Sequence, residues 1–163
     1  AGGGTGSGTI GWIAASVLTL LALVLFLGSL KGNPALPDPA GAVAIPREPA
    51  GVFRVTRHPM MWGFALWAIA HIILFWSART HILAGAILIL ALIGARLQDR
   101  KKLKLMGERW VYWESETSYW PRFEFLLAVG ARLWLIAIAA WLAITWAHLL
   151  LAGIPAGIWR WTG

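Results

Sequence analysis

The chain contains no cysteine and few charged residues. Only 13% of its 163 residues are charged, whereas 59% are hydrophobic, and the mean hydropathy is +0.69. Without cysteine, the protein has no disulfide, no thiolate nucleophile and no cysteine ligand for zinc or haem iron. Soluble domains average about 45–50% apolar and about 25% charged residues, so this composition excludes an ordinary soluble domain.

Several common catalytic motifs are also missing. The sequence has no glycine-rich phosphate loop, no Gly-x-Ser-x-Gly element and no His-Glu-x-x-His element. These motifs position a nucleotide phosphate, a serine nucleophile and a catalytic zinc ion, respectively. Their absence leaves nucleotide-driven motors and the common hydrolases without support.

Long uncharged apolar runs are abundant and predict four transmembrane helices. About 20 residues, each rising 1.5 Å, span a hydrocarbon core of about 30 Å. The predicted spans are 9–30, 60–77, 80–95 and 133–151. The 80–95 run is short, but so few residues separate it from the preceding span that the two form a hairpin that must cross together. The sequence therefore predicts an all-α integral membrane protein built as a bundle of four transmembrane helices.

Basic residues are concentrated in two segments. The chain has 14 Lys and Arg against 7 Asp and Glu, and all but Arg79 and Arg160 of these basic residues lie in 31–57 and 96–132. By the positive-inside tendency, both segments face the cytoplasm. Basic residues beside membrane helices contact lipid headgroups, so we expect membrane lipids and no nucleic acid as partners.

The two cytoplasmic segments have different compositions. Residues 31–57 are rich in proline, which predicts an extended linker without a packed core of its own. Residues 98–131 mix basic and aromatic side chains, which predicts an amphipathic helix lying on the cytosolic interface.

Histidines inside a membrane are functional candidates, because ionisable groups are costly there. His71 ends a helical stripe that contains Trp67, and His148 ends another that contains Trp141. The helical rise puts both histidines in the outer half of the bilayer, and imidazole is a common ligand of haem iron, copper and zinc. His71 and His148 are therefore candidate metal ligands, although such stripes also suit helix packing.

Arg57 and His58 lie at the start of the second predicted span, directly before Pro59. The unpaired N–H groups of a first helical turn favour anions, and proline suits the first helical position. With Arg54, these residues predict either an anion-binding cluster or a basic membrane anchor with a helix cap.

Two segments and the hairpin between them resemble the NnrU family of bacterial membrane proteins. The segments are GVFRVTRHPMMWGFALWAIAH and QDRKKLKLMGERWVYWESETSYWPR. The resemblance covers residues 51–122 and rests on Arg57-His58-Pro59 and Trp67-x-x-x-His71. The family is named for an association with nitrite and nitric oxide reduction. A plant relative, a zeta-carotene isomerase, uses haem b to isomerise a carotenoid double bond.

This resemblance implies a single NnrU-like domain over 1–163 in a bacterial inner membrane, with haem b as cofactor and an apolar, membrane-soluble substrate. It implies catalytic roles for His58 and His71 and cofactor contacts from Arg57 and Trp67. In the plant relative, the second axial histidine lies in an earlier membrane helix. The glycine-rich start without Met leads us to expect that such helices are missing here; otherwise His148 or His81 takes the second position, or no haem binds.

A second resemblance is to the isoprenylcysteine carboxyl methyltransferases. RHPMMWG and GERWVYWESETSYWP are similar to the elements with which that family binds S-adenosylmethionine at the cytosolic face. The acidic residues that the family has before the glycine are replaced by RKKLKL. The residues implied for this site are Arg57, His58, Glu108, Tyr112, Trp113 and Arg122.

A non-catalytic role is the third alternative. The tryptophan-rich helices would then pack against a membrane-protein partner, as in a haem-sensing or structural subunit. The two enzymatic alternatives differ in place, because haem-dependent isomerisation requires His71 inside the membrane and methyl transfer requires Arg57 and His58 at its cytosolic entrance.

Overall fold

The computed structural model describes residues 8–36 and 45–162 of the protein. Within these ranges the chain is helical and contains no β-strand. The predicted proline-rich linker therefore lies partly outside the described residues, as does the glycine-rich start. The five α-helices are α1 (Gly8–Gly28), α2 (Pro59–Leu74), α3 (Ala78–Met106), α4 (Glu108–Glu116) and α5 (Ala131–Ala152). Short 3-10 helices lie at Gly51–Arg54, Phe123–Val129 and Gly157–Arg160.

Three of these helices are long and apolar enough to cross a membrane. They are α1 with 21 residues, α3 with 29 and α5 with 22, and their most apolar stretches have mean hydropathies of 2.5, 1.9 and 2.1. Helix α2 has 16 residues, which corresponds to a length of about 24 Å. The protein is thus an all-helical membrane protein with three candidate spans and one shorter apolar helix, and a fourth span stays a prediction.

The hairpin between α2 and α3 differs from the predicted bounds. Helix α2 ends at Leu74 rather than 77, and α3 begins after Ser77, whose hydroxyl accepts a hydrogen bond from the Thr80 N–H at 3.2 Å. Helix α3 then continues past 95, because the Arg, Lys, Leu and Gln residues that follow are good helix formers. It ends at Gly107, which adopts a φ of 55°.

The four longer helices pack side by side in the order α3, α2, α1, α5. Helix α1 lies between α2 and α5, and Gly63 of α2 allows a close approach: a Cβ atom at this position would lie 2.9 Å from the carbonyl oxygen of Ala22. We call the end that carries the α2–α3 turn the hairpin end, and the opposite end, which carries Arg54 and Arg57, the basic end.

Helix α4 packs against the protein core. Its two tryptophans, Trp110 and Trp113, are 0% exposed, and the Trp113 ring lies 6.0 Å from that of Phe53. The amphipathic pattern of this segment therefore serves to bury aromatic side chains against the core at the basic end. An interfacial position relative to lipid stays a prediction.

Gly63→Ala is expected to destabilise the protein by roughly 1–3 kcal/mol, because the new methyl group must push the α1 backbone away. The measurement is thermal unfolding of the detergent-purified protein. Gly85→Ala is the matched control, since a Cβ there meets nothing within 4 Å. Equal melting temperatures for the two variants would contradict the close α1–α2 approach.

Candidate functional site

Helix α2 connects two groups of chemically interesting side chains. His58 precedes its first residue at the basic end, and His71 lies in its last turn at the hairpin end. Their separation of thirteen positions corresponds to about 20 Å along the helix. The two groups are therefore separate sites.

At the basic end, Asp99 of α3 binds both Arg57 and His58. The Asp99 carboxylate accepts hydrogen bonds from Arg57 Nε at 3.0 Å, from Arg57 Nη2 at 2.9 Å and from His58 Nε2 at 2.8 Å. Glu114 lies 3.5 Å from Arg57 Nη2 at the edge of this group. Because charge-assisted hydrogen bonds from two side chains satisfy one carboxylate, the start of α2 is fixed against α3.

The segment after α4 completes this arrangement, which we call the Asp99 cluster. The Arg57 N–H donates to the Ser118 carbonyl at 2.8 Å, and the Trp62 indole N–H donates to the Tyr119 carbonyl at 2.8 Å. The Tyr119 hydroxyl donates to the Leu92 carbonyl at 2.8 Å. These bonds connect α2, α3 and the segment after α4 into one rigid unit.

The Asp99 cluster leaves Arg57 and His58 little access to a ligand. The His58 side chain is 0% exposed, and its Nδ1 atom is buried without a hydrogen-bond partner among the described residues. Arg57 is 13% exposed and is neutralised by Asp99. Both residues have a structural role here, and a catalytic role for His58 stays a prediction.

Of the residues implied by the methyltransferase resemblance, Arg57 and His58 lie in the Asp99 cluster, whereas Glu108 and Tyr112 line another cavity. Trp113 is fully buried, and Arg57 and His58 are bound to Asp99. Glu108 and Tyr112 line a separate shallow cavity with Arg47, Arg109 and residues 45–46, and neither Arg57 nor His58 contributes to it. The geometry therefore gives no observation that favours S-adenosylmethionine binding.

Helices α1, α2 and α5 line an open apolar groove of about 470 Å³ that reaches the hairpin end. From Trp12 to Phe26 on α1 it extends for about 21 Å along the helix. Helix α2 contributes Phe64, Trp67 and His71, and helix α5 contributes Trp141, Thr145 and His148. The groove therefore contains both histidines that the sequence singles out as metal ligands.

The two groove histidines have the same hydrogen-bonding pattern. His71 Nδ1–H donates to the Trp67 carbonyl at 2.8 Å, and His148 Nδ1–H donates to the Ile144 carbonyl at 2.8 Å. The Trp67 ring also stacks on the His71 imidazole with a centroid distance of 4.0 Å. Backbone carbonyls commonly hold metal-binding histidines in this way, because the bond leaves Nε2 as the ligand atom.

The other candidate for a second ligand is placed elsewhere. His81 is exposed at the start of α3, where its Nδ1–H donates to the Ser77 carbonyl, and it does not line the groove. In the described part of the chain, no group of three or more His, Asp or Glu side chains could hold a metal ion. A metal held here by protein ligands alone would have two imidazoles at most, whereas a porphyrin supplies four nitrogens of its own.

Asp99 is the main residue that the sequence analysis missed. The composition of 96–132 predicts contacts with lipid headgroups, whereas Asp99, the only acidic residue in α3, is buried and binds Arg57 and His58. The buried residues Ala91, Ala95 and Asp99 recur every four positions, which places the carboxylate on the packed face of the helix. The sequence signal for a buried carboxylate was therefore a lone acidic residue at helical spacing from small residues.

Asp99→Asn is expected to destabilise the protein by about 3–5 kcal/mol, because it leaves the Arg57 charge partly buried without a counterion. The control is Glu114→Gln, which removes a longer and more exposed contact and should cost less than about 1 kcal/mol. Thermal unfolding in detergent measures both. An Asp99→Asn protein that unfolds like the wild type would refute this account of the cluster.

Comparisons with known proteins agree with the resemblance. The family model described as NnrU protein matches residues 7–156. Over 73 residues the chain is 33% identical to the chloroplastic 15-cis-zeta-carotene isomerase of Zea mays, a match that covers 44% of this chain and 19% of that protein. No solved structure matches with statistical significance. Because the family model covers most of the sequence, the chain belongs to the NnrU family of membrane proteins.

Proposed function

We propose that the groove between α1, α2 and α5 binds haem b, that His71 and His148 would hold its iron, and that the protein isomerises a double bond of an apolar polyene. The observation that carries the proposal is the pair of histidines lining one apolar groove from two helices. The similarity to a carotene isomerase supports the choice of reaction.

The groove suits a large flat cofactor in three respects. Its volume of about 470 Å³ lies within the range of about 300–1,000 Å³ that is usual for cofactor and ligand pockets. Its walls are mostly apolar and aromatic. The Nδ1–H of each histidine donates to a carbonyl of its own helix, so each Nε2 can act as a ligand atom without displacing a bond.

A bound haem would supply an iron centre that could interact with a polyene and lower its double-bond order once one of the two histidines had left the iron, and the protein would supply position and exclusion of water. Trp67 orients His71 by stacking on it. At the hairpin end, Trp12 and Leu74 are buried, and the edge of Phe75 packs on Trp12 at 6.2 Å, which limits water entry. Towards the basic end, Phe26 and Phe64 offer apolar contacts to a substrate.

The same proposal includes the location of the protein. Three long apolar helices and the family make it a multi-pass membrane protein. We place it in a bacterial inner membrane with the basic end towards the cytoplasm, in accordance with the positive-inside tendency. An apolar substrate would reach the groove from the lipid, since Phe64 and Trp67 are more than a third exposed.

Haem binding is tested by the absorption spectrum of protein purified from haem-replete cells. The wild type is expected to show a Soret band, and His71→Ala is expected to lose most of it, because the variant lacks an axial ligand. The control is His81→Ala, which removes an exposed histidine outside the groove and should leave the band unchanged. A colourless wild-type protein would refute the proposal.

Isomerisation is tested with haem-loaded protein and a cis polyene, whose isomers are separated by chromatography. The wild type is expected to convert the polyene, and His71→Ala is expected to lose at least about 100-fold in rate, since the reaction depends on the bound cofactor. Haem-loaded wild-type protein that leaves the polyene unchanged would refute isomerisation while retaining haem binding.

A further inference from the structure

The hairpin end of the groove contains hydrogen-bond donors that have no acceptor. Trp12 and Ser16 both line the groove, and the Trp12 indole Nε1 and the Ser16 hydroxyl oxygen are buried without a partner among the described residues. Trp12 is only 3% exposed. The two residues are four apart on α1, so they lie on the same face of the helix.

Unpaired buried polar atoms are rare, because each loses its bond to water without a replacement. Other polar groups of this groove are paired: the Trp141 indole N–H donates to the Thr19 hydroxyl at 3.0 Å, and the Thr145 hydroxyl donates to the Trp141 carbonyl at 2.7 Å. Among the groove residues, the unpaired buried atoms therefore lie at the hairpin end, while the other four unpaired buried atoms, His58 Nδ1, Trp110 Nε1, Trp113 Nε1 and Arg122 Nε, belong to the basic end. The indole N–H can only donate, so its missing partner must be an acceptor.

A positive charge lies beside these donors. The Arg160 guanidinium carbon is 4.6 Å from the centre of the Trp12 ring, and in the described part of the chain no carboxylate lies within ion-pair distance of Arg160. The neighbouring Trp159 indole N–H donates to the Thr145 hydroxyl at 3.1 Å, which holds this segment on α5. Arg160 is therefore an exposed cation that packs on Trp12, a residue of the groove wall.

We infer that the hairpin end of the groove binds the carboxylate of an amphiphilic ligand, with Trp12, Ser16 and Arg160 as donors. A carboxylate accepts several hydrogen bonds and matches a guanidinium. The remaining length of the groove, towards Phe26, takes the apolar part of the ligand. Two ligands share this chemistry, a haem with its propionates and a long-chain carboxylic acid from the membrane. For haem, the inference rests on the proposed function.

The first experiment titrates the haem-free full chain, in lipid nanodiscs, with haem b and with its dimethyl ester, followed by the Soret absorption. The wild type is expected to bind the free acid at least about tenfold more tightly than the ester. Arg160→Gln is expected to remove most of this preference, and Trp12→Phe and Ser16→Ala are expected to reduce it. Arg79→Gln is the control, because it removes an exposed charge at the same end without altering the groove.

The outcomes separate this inference from the proposed function. Equal binding of acid and ester by the wild type overturns the carboxylate site but leaves haem binding intact. If neither porphyrin binds, the proposed function fails, and calorimetry with palmitic acid and its methyl ester becomes the test. If the wild type binds palmitic acid more tightly than its methyl ester and Arg160→Gln loses this preference, the carboxylate site is supported with a lipid as its source. If the wild type binds acid and ester equally, the carboxylate site is overturned.

Discussion

The arrangement of the helices depends on one buried carboxylate. Asp99 accepts hydrogen bonds from Arg57 and His58, which lie immediately before α2, and it projects from α3. In a chain that is mostly apolar, helix packing alone offers little directional information, because apolar side chains can slide past one another. The charged contact has a defined distance and geometry, so it fixes the register of α2 against α3. The position of His71, at the other end of α2, follows from that register.

The groove has a different physical origin. Helix α1 packs between α2 and α5, and the absence of a side chain at Gly63 brings the α2 backbone close to Ala22. Bulky aromatic residues on the facing helices, among them Trp67 and Trp141, line the walls. Two histidines then lie on opposing helices of a cavity whose remaining walls are apolar. The haem that we propose for this groove would meet two imidazole nitrogens and an apolar environment there.

The sequence predicted the parts of this structure that depend on local pattern. Uncharged runs located the apolar helices, and helical spacing placed Trp67 and His71 on one face, where the structure has them lining the groove. The family resemblance, which is confirmed, rested on the same residues. Such patterns show which side of a helix is apolar. They can be read from the sequence of that helix alone, without knowing which helices pack against it.

The parts that were missed depend on contacts between distant segments. The pairing of Asp99 with His58 joins residues 41 positions apart, and no local pattern indicates which cation a lone carboxylate will meet. The aromatic residues of α4 gave an amphipathic pattern, but whether Trp110 packs on lipid or on protein depends on how the basic end folds. The unpaired donors Trp12 and Ser16 become visible only when all their neighbours are known.

The central claim is that His71 and His148 bind one haem from two helices. The most direct test is the electron paramagnetic resonance spectrum of the oxidised, haem-loaded protein. Two axial imidazoles predict a low-spin ferric signal in the wild type that becomes high-spin in His148→Ala. A wild-type signal that is high-spin, or one that His148→Ala leaves unchanged, would contradict the claim.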